Sequence, residues 1–298
     1  MKRYIIFSDM DGGTEVWKRL QTFQGTSGWK EFRWDYLDDI NTVVRGIEIA
    51  EEQPVIYIYD IHEESWNFPK TPQGANTYLF NGIHYYELPF VDKSKKFDGA
   101  LFVGFHSGPG EKGFSQYMFK PVFDYIKVNG KLWGELDFFS QLIAILDIPL
   151  LFVSGTLEVT EKINKEFPSL TTIGIDKEPE LFRGNVSSRR YTQSIRDNYT
   201  KLVPKALRSE GIKTKIIKEG TIELKIKSPK KVWQISGLNS SINDRIIKYN
   251  FSSPKELLKI IFCHSYFQSN FSCNIMKTTL FYKNTRRFLK NKGIIKGM

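Results

Sequence analysis

The stretch Tyr4–Gly13 reads YIIFSDMDGG and joins a buried-strand pattern to a polar turn. Its first half, Tyr4–Ser8, is a short apolar run, which is typical of a strand covered on both faces. Asp9 and Asp11 follow directly, and their spacing of two places both side chains on the same side of an extended backbone. The two glycines after them allow the chain to turn away sharply. We therefore expect a buried strand that delivers two carboxylates to one edge of a sheet.

Further along the chain, strand patterns alternate with helix patterns. Apolar residues recur with a helical period over Asp35–Glu51 and again over Leu157–Phe167. Strands separated by helical crossovers predict an α/β fold, with a Rossmann-like, mostly parallel sheet and helices on both faces. Residues 64–98 contain three prolines and little periodicity, so we expect an irregular excursion there. The further predicted strands are Val55–Tyr59, Gly99–Phe105, Pro149–Ser154 and Thr171–Ile175.

A smaller α+β unit is predicted in the C-terminal part. The chain has a helix pattern over residues 190–210, strand patterns over 221–227 and 245–249, and a helix start at Ser253-Pro254. Earlier in the chain, Asn129-Gly130 between two strand-like runs predicts a hairpin. We divide the chain into a metal-binding α/β domain (1–189), a smaller α+β domain (190–276) and a basic tail (277–298).

Composition excludes several classes of protein. The 298 residues include 43 aromatic side chains, which is too many for a disordered chain, and no apolar run is long enough to span a membrane. The net charge of +10 is uneven, with +16 on residues 200–298 and −6 on residues 1–199. A solvated basic surface explains this better than nucleic-acid binding, because no nucleic-acid-binding motif accompanies it. Cys263 and Cys273 are too few for a disulfide framework, so we expect free thiols and a cytoplasmic protein with no membrane partner.

Metal-binding side chains follow three of the predicted strands. His62 and His106 come after the second and third strands, as Asp9 and Asp11 come after the first. In an open parallel sheet, ligands bind beyond the carboxyl ends of the strands. Imidazoles mixed with carboxylates favour zinc, with manganese, cobalt and nickel as competitors. The alternative is that each residue is an ordinary structural cap or hydrogen-bonded histidine.

Four short motifs in order resemble the DppA-type D-aminopeptidases, a family of dizinc metallopeptidases. They are Ser8–Gly12 (SDMDG), Asp60–His62 (DIH), Gly99–His106 (GALFVGFH) and Gly134–Leu136 (GEL), beside family patterns D-x-E-G, D-x-H, G-A-x-x-x-G-x-H and G-E-x. Order and approximate spacing agree. The resemblance is good over residues 1–176 and looser through the C-terminal unit.

The resemblance implies a site with two zinc ions per subunit. Asp9 would bridge both ions, with Asp11 and His62 completing one coordination shell, and His106 and Glu135 the other. Asp60 would orient a metal-binding side chain from behind. The family also implies a ring-shaped homo-oligomer, possibly a decamer. The implied activity is hydrolysis of short peptides or amides that carry a free amino group, and no organic cofactor is implied.

Two positions depart from the family pattern. The family has glutamate where this chain has Asp11, and it has a catalytic-site histidine where this chain, counted without a gap, has Tyr117. A tyrosine is a poor general base at neutral pH, although it can donate a hydrogen bond to an oxyanion. We therefore predict a zinc-dependent aminopeptidase with Tyr117 as the candidate catalytic residue. The alternative is a catalytically impaired protein that binds a metal or a small molecule on the same scaffold.

Overall fold

The computed structural model describes residues 1–63, 65–81, 96–177, 186–228, 232, 234 and 238–266. The predicted basic tail, 277–298, lies outside the described residues. Two sheets and five long helices make up the described part of the chain. The strands are β1 (Arg3–Ser8), β2 (Val55–Asp60), β3 (Thr77–Phe80), β4 (Gly99–Phe105), β5 (Phe123–Val128), β6 (Lys131–Leu132), β7 (Leu150–Thr156), β8 (Thr171–Ile175), β9 (Gly220–Ile226), β10 (Ser240–Asn243) and β11 (Ile246–Phe251). The helices are α1 (Ser27–Ala50), α2 (Glu135–Ile145), α3 (Leu157–Glu166), α4 (Val186–Leu207) and α5 (Pro254–Tyr266).

The first sheet is parallel and has the order β3-β2-β1-β4-β7-β8. Side chains alternate across it: Ile5 and Phe7 of β1 belong to one hydrophobic core, and Tyr4 and Ile6 belong to the other. Helices α1 and α4 cover the face that carries Tyr4, whereas α2, α3 and α5 contribute to the core on the opposite face. The predicted α/β class, with a mostly parallel sheet and helices on both faces, is confirmed.

The second sheet is antiparallel, in the order β10-β11-β9-β5-β6. The predicted hairpin is present, and Asn129 and Gly130 both have positive φ, as a tight two-residue turn requires. Its strand β5 pairs with β9, which lies almost a hundred residues later in the chain. The second sheet therefore takes strands from two separate parts of the sequence. The domain boundaries at residues 189 and 276 stay a prediction.

Two local expectations differ from the structure. Helix α1 begins at Ser27, eight residues before the predicted start, because Thr26 caps it by accepting a hydrogen bond from the backbone N–H of Trp29. The expected irregular excursion contains β3, a short edge strand beside β2. Residues 82–95 of that excursion lie outside the described residues.

Cys263 lies in α5 and is disulfide-bonded, so the expectation of free thiols is wrong at this residue. Disulfides persist mainly in oxidising compartments, and the cytoplasmic location stays a prediction. Within the part of the chain that the structure describes, no helix is both long enough and apolar enough to cross a membrane.

Candidate metal centre

The order of the central strands brings the sequence-predicted side chains together. Strand β1 lies between β2 and β4, so Asp9 at the end of β1 is flanked by His62 after β2 and His106 after β4. One oxygen of Asp9, Oδ1, lies 2.8 Å from His62 Nδ1, and the other, Oδ2, lies 3.2 Å from His106 Nε2. Each carboxylate oxygen of Asp9 therefore faces a different imidazole.

The remaining two carboxylates complete the cluster. His106 Nε2 lies 3.7 Å from Asp11 Oδ2 and 3.8 Å from Glu135 Oε1. Candidate ligand atoms of Asp9, Asp11 and His62 lie within 4.8 Å of one another, as do those of Asp9, His106 and Glu135. The two groups share Asp9 and are buried. All five residues predicted as metal ligands converge, although they span most of the first half of the chain.

Two glycines allow this close approach. Gly12 donates its backbone N–H to the carbonyl of Gly104, at 2.8 Å, and a Cβ on Gly12 would lie 2.4 Å from that carbonyl group. Gly104 has φ +79°, and a Cβ there would lie 2.0 Å from the carbonyl oxygen of Asp9. The end of β4 thus touches the loop that carries Asp9 and Asp11, and this contact has no room for side chains.

Backbone carbonyls fix the orientation of both imidazoles. His62 Nε2 lies 3.0 Å from the carbonyl oxygen of Thr22, and His106 Nδ1 lies 2.9 Å from that of Ser107. A carbonyl oxygen only accepts, so each of these ring nitrogens donates its N–H. The other nitrogen of each ring points into the carboxylate cluster. This is the arrangement by which proteins hold a histidine as a metal ligand.

Glu135 is the first residue of α2, and its position is set by the turn before the helix. Its Oε1 accepts a hydrogen bond of 2.6 Å from the backbone N–H of Phe119. The backbone N–H of Gly134 donates to Asp137 at 2.8 Å, which caps the helix start. Asp137 in turn accepts a hydrogen bond from Lys162. These contacts hold the Glu135 carboxylate against His106.

The cluster contains polar atoms that the protein itself leaves without a hydrogen bond. Among the described residues, four buried atoms of the cluster are in this state: Asp9 Oδ2, Asp11 Oδ1, Glu135 Oε2 and His106 Nε2. Unpaired buried polar atoms are costly and rare in proteins. Three carboxylate oxygens and one imidazole nitrogen that face each other are the ligands zinc takes, so the residues present fit the metal ions that the family pattern implies.

The electrostatics of the cluster also favour cations. Burial lowers the pKa of His106, but the carboxylates of Asp9, Glu135 and Asp11 outweigh burial and raise it to about 10. Burial raises the pKa of Glu135 to about 8, and the charge of Asp9 contributes to this rise. Burial alone would raise the pKa of Asp9, but His106 and His62 hold it below its usual value. The carboxylates therefore create a negative potential that retains protons on His106 and Glu135. Metal ions bound at the site would replace these protons.

Tyr117 lies inside this site. The sequence alone did not determine whether this side chain faces the site or points away from it. It is 3 % exposed, and its ring stacks on the ring of His106 with centroids 4.6 Å apart. Its hydroxyl donates a short hydrogen bond to Asp11 Oδ2, which also accepts from Ser115 at 3.0 Å. The two positions that depart from the family pattern, Asp11 and Tyr117, therefore contact each other.

The protonation state of Tyr117 follows from its surroundings. Burial raises the pKa of its phenol well above the ordinary value, and the charge of Asp11 raises it further. The phenol keeps its proton at neutral pH and acts as a donor.

Asp60 lies behind the site rather than in it. Its carboxylate accepts hydrogen bonds from the backbone and side chain of Asn67 and, at 3.4 Å, from the backbone N–H of His62. Asn67 also donates to the carbonyl oxygen of His62. Asp60 thus contacts the backbone of His62, whereas the imidazole contacts Asp9 and Thr22. No sequence pattern marks Thr22, Ser107 or Ser115, because the first two act through their backbone carbonyls and the partner of Ser115, Asp11, is distant in the chain.

Comparisons with known proteins identify the family and the fold. The family model described as D-aminopeptidase, of the M55 peptidases, matches residues 1–263. A solved structure, the Zn-dependent D-aminopeptidase DppA from Bacillus subtilis, described as a self-compartmentalizing protease, superposes with a TM-score of 0.73 at 13% sequence identity. The superposition covers 89% of this chain and 97% of that one, and at this identity it shows the shared fold. A search of curated proteins gives no match.

Proposed function

This chain belongs to the D-aminopeptidase family, and we propose that it is a metal-dependent aminopeptidase that hydrolyses a peptide or amide bond beside a free amino group. The observation that carries the proposal is the position of Asp9, whose two oxygens face two different imidazoles inside a buried carboxylate cluster. A carboxylate in this position suits a bridge between two cations. We expect short peptides as substrates.

The proposed centre is dinuclear and takes zinc, with manganese, cobalt or nickel as alternatives. Asp9 would bridge the ions, Asp11 and His62 would bind one, and His106 and Glu135 would bind the other. Two ions so held would lower the pKa of a shared water and polarise the substrate carbonyl. Several contacts of the chain keep the cluster in place: the carbonyls of Thr22 and Ser107 hold the imidazoles, and the backbone N–H of Phe119 holds Glu135.

A peptide panel tests the proposed activity. Metal-free protein is incubated with dipeptides of D- and L-amino acids, with amino-acid amides, and with N-acetylated forms of both, before and after zinc is added. We expect release of free amino acids only after metal is added, and only from substrates with a free amino group. The absence of hydrolysis in a zinc-loaded protein would contradict the proposal.

A second candidate function is metal or small-molecule binding without efficient catalysis. The observation that favours it is the hydrogen bond between Tyr117 and Asp11, which places a protonated phenol where the family pattern has a histidine. A protein of this kind would bind two zinc ions and yet show no turnover in the peptide panel. Metal content measured beside the panel separates the two functions.

Replacing Tyr117 with phenylalanine is expected to lower kcat by less than about a hundredfold, because its single O–H, which donates to Asp11 in the structure, would have to turn to an oxyanion and would contribute one hydrogen bond there. Ser115→Ala is the matched control, since Ser115 also donates to Asp11 Oδ2. If Tyr117 only holds Asp11 in place, the two variants will weaken metal affinity alike and have equal kcat at full metal content. A complete loss of turnover in Tyr117→Phe would show an essential role. A higher rate in Tyr117→His would indicate that the histidine of the family pattern supplies missing chemistry.

We further propose that the protein assembles into a homo-oligomer, ring-shaped and possibly decameric as the resemblance implies. The net charge of −6 on residues 1–199 and of +16 on residues 200–298 favours head-to-tail contacts between unlike regions, and such contacts form a ring when the rotation between subunits closes. Size-exclusion chromatography with light scattering is expected to show an oligomer, both for the full chain and after deletion of residues 277–298. A monomer at micromolar concentration and physiological salt would contradict this assembly.

A further inference from the structure

Arg19 lies beside the metal centre and was not marked by any sequence pattern. It begins the 3₁₀ turn Arg19–Gln21, and its carbonyl accepts hydrogen bonds from the backbone N–H and the hydroxyl of Thr22. The carbonyl of Thr22 accepts in turn from His62 Nε2. The turn that carries Arg19 is therefore fastened to one of the imidazoles of the site.

The guanidinium of Arg19 lies over two aromatic rings. Its central carbon, Cζ, lies 4.5 Å from the ring centroid of Tyr117 and 5.1 Å from that of Phe23. The hydroxyl of Tyr117 reaches Asp11. The cation is thus separated from the carboxylate cluster by one phenol ring.

The guanidinium has no anionic partner in the part of the chain that the structure describes. Arg19 is partly buried, its Nε is buried without a hydrogen bond, and it forms no ion pair with any described carboxylate. Arg196 provides a contrast, because it contacts Asp39 at 2.9 Å. A guanidinium without an anionic partner keeps N–H groups available, and its paired N–H groups match the two oxygens of a carboxylate.

We propose that Arg19 binds the free α-carboxylate of the residue that follows the scissile bond, which makes dipeptides with a free carboxyl terminus the preferred substrates. This inference rests on the proposed function. With the carbonyl of the first residue at the metal ions, the next residue lies one Cα spacing of about 3.8 Å further along. Two divalent cations exceed the charge of three carboxylates, and Arg19 adds another positive charge, so an anionic substrate group balances the site. A dipeptide amide has no such group.

The test compares each dipeptide with its C-terminal amide. For the zinc-loaded protein, we expect kcat/KM for the free acid to exceed that for the amide by about ten- to a hundredfold, the range of one charge-assisted pair. In Arg19→Gln this ratio is expected to fall to about one, mainly through KM. Arg19→Lys keeps the charge but loses the paired N–H groups. Its acid-to-amide ratio of kcat/KM should therefore lie between that of the unaltered protein and that of Arg19→Gln.

Lys18→Gln is the matched control, because it removes one positive charge from the adjacent, exposed residue. Its ratio should equal that of the unaltered protein. Calorimetric binding of a non-hydrolysable dipeptide acid and its amide gives a readout independent of turnover, and melting temperatures show whether each variant folds.

An unchanged preference for the acid in a folded Arg19→Gln variant, in kinetics or in binding, would overturn the role of Arg19 while leaving the aminopeptidase proposal intact. If zinc-loaded protein hydrolyses neither substrate, the proposed function fails, and the binding comparison alone decides the role of Arg19.

Discussion

Replacing Asp9 with alanine is expected to abolish turnover, with a loss of at least about a thousandfold, and to reduce bound metal from two ions per chain to one or none. Asp9 is the only residue shared by the two candidate ligand groups of the described chain. Without it, His62 and His106 each lose a carboxylate partner, and the two ions, which act as a pair, would no longer both be held. Metal content and peptide hydrolysis measure the effect directly.

Stability gives a second measure of the same change. Zinc that binds only the folded protein raises its melting temperature, and this increase should be smaller in Asp9→Ala, or absent if the variant binds no ion. Asp38→Ala is the control, because it removes the same carboxylate group from an exposed position on α1. A variant of Asp9 that retains two ions and full turnover would contradict the proposed bridge.

Replacing Gly104 with alanine is expected to destabilise the fold by about 4 kcal/mol or more and to disrupt the metal site. The backbone of Gly104 has φ +79°, and the added Cβ would lie 2.0 Å from the carbonyl oxygen of Asp9. Relief of this clash requires β4 and the loop after β1 to separate, which would move His106 away from Asp9. Urea unfolding and zinc affinity measure the two effects.

Gly130→Ala is a close control for this substitution. Gly130 has φ +80°, but a Cβ there has no atom within 4 Å, so alanine incurs only the strain of a left-handed backbone, about 1–2 kcal/mol. The difference between the two variants isolates the steric contact at the site. Equal stability of Gly104→Ala and Gly130→Ala would show that the contact between β4 and the Asp9 loop tolerates a side chain.

The parallel sheet and its polar edge could be predicted because their signals are local. The run Tyr4–Ser8 indicates a buried strand, and the residues directly after it and after two later strands carry ligand chemistry. In a parallel sheet the carboxyl ends of neighbouring strands meet, so His62 and His106 had to approach Asp9 once β2, β1 and β4 were adjacent. Glu135 depended on the resemblance, since no local pattern marks the first residue of α2 as part of the site.

The features that could not be predicted depend on contacts between distant residues. The Asn129-Gly130 turn indicates a hairpin, but nothing near it specifies that β5 pairs with β9. Strand β3 has only four residues in a proline-containing segment, so its pairing with β2 leaves little trace in the sequence. Arg19 and Tyr117 are almost a hundred residues apart, and only folding shows that one stacks on the other.

The direct contact between Asp11 and Tyr117 changes how the two departures from the family pattern are interpreted. A carboxylate that is one methylene shorter than glutamate leaves space, and the phenol of Tyr117 extends into the site and donates to Asp11. The two departures therefore form one local unit. Exchanging both together, Asp11→Glu with Tyr117→His, is a more informative comparison than exchanging either alone.

Anomalous diffraction at the zinc edge, on crystals of protein purified without chelator, tests the dinuclear centre most directly. The proposed site predicts two peaks about 3.5–4 Å apart with Asp9 between them. One peak should lie about 2.0–2.3 Å from ligand atoms of Asp11 and His62, and the other at the same distance from His106 and Glu135. A single peak, no peak, or peaks away from Asp9 would contradict the account.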